Sequence, residues 1–394
     1  MAELNYPNYL KVSQYNVGFN KNFTCAQVDE SFFNNLDNKE TSLFLLNLNI
    51  QGLLPKKDSL FALVKNLAAN YKLPDIICVQ ETWLSNYTTP PPLPNYHPFI
   101  HTNRLAARGG GVGFYISNNI SYTINSELSS FIERIYESLA IEIFVNNKKY
   151  LICNIYRPPS APGYTEKESL EIFYNSFSYV LDKAPINSFF VGDLNINLLQ
   201  LNRKADRLID TFHSFGFSNL INSPTRITQT SSSLIDIILT KNNLISGHSG
   251  SISSDVSDHL ATFCNFNLKT NHVKPSHTFK RFYSATNIEL FKSQLSSLSW
   301  NSVMVEQDSS VAYNNFTEIW ETLFNQCFPY KKVLLNKKLY PINEFFTAGL
   351  LRCRSKKNEL YNKFLSSRNK DDHDNYKVYR NVFNRCVKSA KNVF

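Results

Sequence analysis

No stretch of the 394 residues approaches the ~20 uninterrupted apolar residues of a membrane span, and the opening MAELNYPNYL lacks the basic-then-apolar order of a secretory signal. A soluble, intracellular protein is the expectation. The cysteines at 25, 78, 153, 264, 327, 353 and 386 are odd in number, far apart and never spaced as C-x-x-C, which argues against a zinc site and for free thiols in a reducing compartment. The run R-G-G-G-V-G at 108–113 has no G-K-S or G-K-T after it and leads into a strand-like segment instead of a helix. A close-packed glycine hairpin is therefore expected there, with no catalytic role. Charged residues make up 19% of the chain and hydrophobic ones 43%, which excludes general disorder and suits one domain of about 200 to 250 residues with an appendage. No internal repeat is visible.

What is present divides unevenly. Residues 1–270 carry 21 Lys and Arg against 22 Asp and Glu, whereas residues 271–394 carry 20 against 10, so the formal charge of +9 belongs to the tail. A basic tail on a near-neutral body suits a polyanion, because Lys and Arg that displace condensed counterions gain affinity from their release. A solvated helical surface is the plain alternative.

Residues 1–41, rich in Asn and Phe without a steady period, read as a loosely ordered N-terminal extension. From Ser42 short β-rich runs alternate with helical patterns. The strands are SLFLLNLN (42–49), DIICVQ (75–80), GVGFYI, LAIEIFV, YLICNIY, SFFVGD, LIDIILT and LATFCNF, and helices are expected around Leu60–Leu67, Glu166–Leu181 and Lys204–Phe215. Many strands with few helices point to an α/β or α+β sandwich whose helices cover the outer faces of stacked sheets. After Lys269 the strands stop, and Leu290–Leu298, Ala312–Phe328 and Glu344–Phe394 read as helices, with breaks near Pro341 and Ser366–Asp374. The expected division is 1–41 extension, 42–270 catalytic domain and 271–394 basic helical connector.

The apolar runs LFLLNLN, IICVQ, LICNIY and FFVGD each end in, or lead into, a polar residue. Strand ends converge at one rim of a sandwich, so Asn49, Glu81, Tyr156, Asp193, Asn195 and the pair Asp258 and His259 can share a cleft. The set contains no Ser or Cys nucleophile with a base beside it. It offers the oxygen ligands that a hard divalent cation prefers, which points to Mg²⁺ and to hydrolysis or phosphoryl transfer.

The ordered motifs N-I-Q-G-L (49–53), Q-E-T-W (80–83), I-Y-R-P-P (155–159), G-D-L-N (192–195), S-P-T-R-I-T with L-I-D (223–236) and S-D-H (257–259) resemble the endonuclease/exonuclease/phosphatase superfamily. Within it the chain is most similar to the apurinic-type endonuclease domain of non-LTR retrotransposons of the jockey and CR1-like kind. The likeness runs from about Ser42 to Asn267, and R-F-Y near 281, L-Y-P-I-N near 339 and K-S-A-K-N-V-F at the end resemble the connector that such elements place before a reverse transcriptase. The resemblance departs at Gln51, where most apurinic-type relatives carry Asp or Asn.

The resemblance implies a DNase I-like α/β fold, a four-layer sandwich of two packed mixed β-sheets flanked by helices, followed by a mainly helical tail. It implies that Glu81 is the principal metal ligand, with Asp258 and Asn49 completing the environment of Mg²⁺, for which Mn²⁺ can substitute. Asp193 corresponds to the carboxylate that directs the attacking water, Asn195 and Tyr156 to groups that hold phosphate oxygens, and His259 to the imidazole on the scissile phosphate, with Asp236 as its partner. Arg157, Thr225, Arg226 and Ser257 are expected DNA contacts, Thr225 and Arg226 because the hairpin they begin lies near DNA in this family. Each residue also has a plain reading: Asn49 as a strand-end turn, Tyr156 as a buried strand tyrosine, the hairpin as mere surface.

The function implied is nicking of a DNA target site in the nucleus to leave a 3′-hydroxyl for reverse transcription, with the reverse transcriptase and element RNA, the latter held by the basic tail, as partners. Phosphatase or phosphodiesterase activity on another substrate is the rival within the superfamily. A non-cutting nucleic-acid-binding remnant of a broken element is the rival outside it.

Overall fold

The computed structural model describes residues 22–36, 42–85, 87–104, 109–146, 148–200, 202–241, 245–268, 277–281, 283–334 and 347–393. Two compact units emerge: one comprises residues 1–273 with 341–394, the other residues 274–340.

In the larger unit two mixed sheets pack face to face. The first runs, in spatial order, Phe23–Val28, Gly247–Ile252, Ala261–Asn267, Ser42–Asn49, Ile76–Gln80, Val112–Ile116 and Ile100–Thr102. The second runs Ser218–Asn219, Asp236–Thr240, Ser188–Asp193, Lys148–Tyr156, Tyr136–Val145 and Ser121–Ile124, with Phe131–Ile132 paired beside Tyr136–Val145. Ser42–Asn49 is buried along its whole length, and its period-2 alternation explains how. Leu43 and Leu45 join the core between the sheets, while Phe44, Leu46 and Leu48 pack with Leu60, Leu63 and Leu67 of the helix Leu53–Asn70 on the outer face. On the other side Phe190 meets Phe177 of the helix Glu166–Lys183, which in turn meets Phe212 of the helix Arg203–Ser214. The four-layer arrangement expected is thus observed. Cys78, Cys153 and Cys264 lie in the core, where burial raises their thiol pKa, and all seven cysteines are unpaired.

Two expectations are corrected. Residues 23–36, expected to be loosely ordered, add the parallel edge strand Phe23–Val28 and place Phe33 in the core against Phe44 and Phe263; residues 1–21 and 37–41 lie outside the described residues. The tail is not one connector. Residues 274–340 form the small unit, in which His277–Arg281 pairs antiparallel with Tyr330–Leu334, strands that were not expected, and the helices Ala285–Ser297 and Ser309–Cys327 share a cluster around Phe291, Leu323 and Phe328. The L-Y-P-I-N segment at 339–343 lies outside the described residues. The helices Ala348–Ser367 and Lys370–Val393, separated at Arg368 with its left-handed φ of 55°, pack within the larger unit. Apolar burial is the physical reason: Tyr361, Phe364, Leu365 and Tyr376 cluster with Ile227 and Leu260, and Phe383 with Ala62. No described helix is long and apolar enough to cross a membrane.

Candidate active site

The cleft is built by one simple change along four strands. Residues of one parity face the space between the sheets, and each such row turns from apolar to polar toward the same rim: Leu43, Leu45, Asn47, Asn49; Ile76, Cys78, Gln80; Ile152, Asn154, Tyr156; Phe189, Val191, Asp193. Directly beneath the rim the polar groups bond to one another, Gln80 Nε2 donating to Asn47 Oδ1 at 2.7 Å and Asn154 Oδ1 at 2.5 Å, and Asn47 Nδ2 to Thr262 Oγ1 at 3.0 Å. Such a network locks the register of facing strands, because a one-residue slip would strand every member unpaired.

Above it the expected residues come together. Asn49 Nδ2 donates to Glu81 Oε1 at 2.9 Å and to Asp193 Oδ2 at 2.8 Å, and Tyr156 Oη donates to Glu81 Oε1 at 3.1 Å. Asp193 is fully buried and also accepts from the Asn195 backbone N–H at 2.8 Å and side-chain Nδ2 at 3.0 Å. Burial first, then the charge of Asp236, push its pKa up to about 7, against the pull of His259 and these N–H donors. His259 Nδ1 lies 2.9 Å from Asp236 Oδ2. Burial opposes charge on that imidazole, but Asp236 outweighs it, helped by Asp193 and Asp258, and the pKa rises to about 9. His259 is therefore an imidazolium near neutrality, its Nε2 facing Asp258 Oδ1 at 3.9 Å. Burial, followed by the charges of Glu81 and Asp193, raises the Tyr156 phenol, which stays protonated as a donor.

Other expected residues serve this arrangement from outside the cleft. Asn195 Nδ2 gives its second hydrogen bond to the Arg157 carbonyl at 2.9 Å, so in this geometry the amide positions Asp193 instead of facing a phosphate. Arg157 is largely buried, donating to the Leu194 carbonyl beneath the ring of Phe173, and only its edge lines the groove beside the site. Thr225 is likewise fully buried, its hydroxyl accepting from the N–H groups of Ile235 and Asp236. Both were expected to touch DNA because motif position does not reveal which way a side chain points. Ser257 Oγ donates to the Asn49 carbonyl at 2.6 Å and accepts from His259 N at 3.1 Å, tying the S-D-H loop to the opposite strand end. Arg226 is part-exposed and paired to Asp258 at 2.7 Å. A groove of about 520 Å³ lined by Asn195, Arg203, Lys204 and Arg226 opens beside the site.

The sequence reading missed Glu137 and Arg104. Glu137 is fully buried, pairs with Arg104 Nε at 2.5 Å, and accepts from the Gly111 N–H at 2.6 Å. The glycine loop thereby gains a purpose: Gly111 and Gly110 carbonyls accept from Thr82 N and Trp83 N, pinning the Q-E-T-W turn in which Glu81 itself has a left-handed φ of 52°. A carboxylate in the apolar strand Tyr136–Val145 was the available signal, though Glu142 of the same strand shares it. Gly111→Ala is expected to cost about 2 to 3 kcal/mol, since φ is +89° and a Cβ would stand 2.4 Å from Thr82 Oγ1 and 3.0 Å from the Thr102 carbonyl. Chemical denaturation measures this, and an unchanged midpoint would show that the loop yields freely.

Two donor sets in the site fit a cation. Among the described residues, the titratable side chains whose ligand atoms lie within 4.8 Å of one another are Asp193, Asp236 and His259. The imidazole is committed to Asp236 and protonated near neutrality, which makes it a poor ligand. At the mouth, Asn49 Oδ1 and Asp258 Oδ1 are buried oxygens with no hydrogen-bond partner, near Glu81, which is only part-buried. Unpartnered oxygens of this kind suit a hard divalent ion better. Lys56, lowered in pKa by burial against the charges of Asp258 and Glu81, lies 3.5 Å from Gln51 Oε1, the position at which the sequence departs from the expected Asp or Asn.

No curated protein sequence matches the chain. Among solved structures, the endonuclease domain of TRAS1, a telomere-specific non-LTR retrotransposon, aligns at 16% identity over 58% of this chain and 100% of that one, with a TM-score of 0.45. The AP endonuclease LMAP from Leishmania major aligns at 15% identity over 62% and 93%, with a TM-score of 0.46. D. rerio TDP2, complexed with a single-strand DNA product, aligns at 16% over 57% and 99%, with a TM-score of 0.42. The stronger finding is in the sequence itself, since residues 14–259, well over half of the chain and every residue of the cleft, match one family profile. The chain belongs to the Endonuclease/Exonuclease/phosphatase family, whose members are divalent-metal-dependent phosphoester hydrolases.

Proposed function

We propose that this protein is an endonuclease that nicks one strand of DNA with Mg²⁺ and leaves a 3′-hydroxyl. The observation that carries the reading is the division of the cleft into a floor of buried, mutually bonded acid–base groups and a mouth where Asn49 Oδ1 and Asp258 Oδ1 lack hydrogen-bond partners beside Glu81. Those three residues would hold the cation, which when bound supplies Lewis-acid polarisation of a phosphoryl oxygen.

The chain's own groups do the rest. Asp193, with its carboxylate fixed by three N–H donors and a pKa near neutrality, orients the attacking water and accepts its proton. The His259 imidazolium and the Tyr156 hydroxyl are donors aimed at charge that develops on the phosphoryl oxygens, and their fixed partners spare the reorganisation that water would need. Arg203, Lys204 and Arg226 along the neighbouring groove suit a phosphodiester backbone more than a small phosphomonoester. The finer reading is target-site nicking in the nucleus for a jockey- or CR1-like element, with a reverse transcriptase as partner and element RNA on the basic tail. It rests on the ordered motifs and on the connector-like R-F-Y and K-S-A-K-N-V-F segments.

Supercoiled plasmid is expected to convert to open circles with Mg²⁺ and to stay supercoiled in EDTA, while inositol phosphates release no phosphate. Glu81→Gln should raise the Mg²⁺ needed for half-maximal nicking by at least the ~10- to 100-fold typical of losing an outer-shell partner. Phosphate release without nicking would replace this reading with a phosphatase, and nicking in EDTA would remove the metal from it.

A further inference from the structure

The helices Ala348–Ser367 and Lys370–Val393 lie outside the matched 14–259 region, yet they touch the residues next to the catalytic ones. Arg226 and His259 face each other across an isolated β-bridge, and the chain alternates there as any extended strand does. Arg226 and His259 turn toward Asp258 and Asp236; the next residue in each case, Ile227 and Leu260, turns away and is buried against Tyr361, Phe364, Leu365 and Tyr376.

Polar contacts reinforce the same two segments. Lys357 Nζ pairs with Asp255 Oδ1 at 2.5 Å, both side chains nearly inaccessible, and Tyr376 Oη donates to Asp255 Oδ2 at 3.1 Å. Asp255 opens the loop that carries Ser257, Asp258 and His259. At the hairpin tip, Arg368 donates from Nη1 to the Thr228 carbonyl at 3.1 Å and from Nη2 to Ser232 Oγ at 2.6 Å, and Gln229 meets His373. The left-handed φ that breaks the two helices apart occurs at Arg368 itself. A third anchor, Arg354 to Glu30 at 2.8 Å, fixes the other end of the first helix.

We infer that the C-terminal helix pair is a working part of the hydrolase, with Lys357, Tyr376 and Arg368 as positioning residues: the first two hold the loop of Asp258 and His259, and the third holds the hairpin that begins at Arg226. The inference deepens the nicking reading and rests on it only for what the held groups do. A linker that merely leads to another domain has no reason to place a buried Lys on the loop of the catalytic His. A solvated basic surface would not spend its cations on Glu30 and Asp255.

The test uses the full chain and two readouts, amide hydrogen exchange and plasmid-nicking kinetics. Arg368→Ala is expected to speed exchange across 226–233 and raise KM while kcat holds. Lys357→Met is expected to speed exchange across 255–260 and to lower kcat about tenfold or more, the scale on which a small misplacement of reacting groups acts. Lys357→Arg should restore both. If Lys357→Met does not fold, Asp255→Asn with Lys357→Met removes the buried charge together with its partner, and the same changes in exchange and kcat are expected. Unchanged exchange in both segments, or faster exchange with wild-type kcat and KM, overturns the inference. Should the wild-type chain fail to nick DNA, the function proposed above falls, while the exchange data still decide whether the helices hold the two segments.

Discussion

Asn in place of Asp193 is expected to slow nicking by roughly 10²- to 10⁴-fold, the range attributed to one positioned acid–base group. The carboxylate is fully buried and bound by Asn49 Nδ2, Asn195 Nδ2 and Asn195 N, so it has been desolvated and aimed in advance. An amide of the same shape cannot take up a proton from water, and its NH₂ would face those donors. Thermal unfolding must therefore accompany the kinetics, since an unmade buried hydrogen bond costs about 1 to 3 kcal/mol. His259→Ala should produce a loss of similar size by a different route, removing the cation that Asp236 stabilises. The double variant should be little slower than either single one, because the groups act as a unit. A folded Asp193→Asn protein that nicks within a few fold of wild type would discard the proposed mechanism.

Seven of the eight catalytic candidates were legible because they sit at or beside strand ends, where a polar residue next to an apolar run is conspicuous; Asp236, the first residue of its strand, was reached only through the matched order of motifs. Their contacts were not. Asn195 and Ser257 were expected on the phosphate side and instead bond to Asp193, the Arg157 carbonyl and the Asn49 carbonyl. A short polar side chain at a turn can point either way, and only packing decides. The strand Gly247–Ile252 went unread for a related reason: G-H-S-G-S-I has no apolar alternation. At Gly250 a Cβ would stand 1.9 Å from the Ala26 carbonyl, so close strand approach is what selected the small residue. Glu137 was passed over because its partners, Arg104 and the Gly111 N–H, are far away in sequence or belong to the backbone.

The tail was misjudged most, and charge was the cause. Read by composition it is one basic stretch; in the structure residues 341–394, with twelve Lys and Arg against five Asp and Glu, belong to the larger unit, and residues 274–340 do not. Three of those cations are spent on Glu30, Asp255 and Asp58. Periodicity shows that a helix has an apolar face but not what the face covers, so solvent-facing and docked helices look alike until a partner is found.

Cutting the chain after residue 270 is therefore expected to damage the enzyme, although every proposed catalytic residue remains. The cut exposes Ile227 and Leu260, which are buried by the helix pair, at about 1.5 to 3 kcal/mol each. Glu30 and Asp255 return to water when their cover leaves, so their lost ion pairs add little to that cost. A loss of roughly 3 to 6 kcal/mol is a large part of the 5 to 15 kcal/mol that holds a typical domain together, and at about 2 to 4 °C per kcal/mol it should lower Tm by 6 °C or more. The freshly exposed apolar patch also adjoins the cleft, so the truncated protein should aggregate at concentrations the full chain tolerates. Deleting only 274–340 and joining its ends through a flexible linker should spare Tm, because that segment is a separate compact unit. Calorimetry on the three proteins decides the matter: a 1–270 fragment that melts cooperatively within a degree or two of the full chain would return the C-terminal helices to the role of a connector.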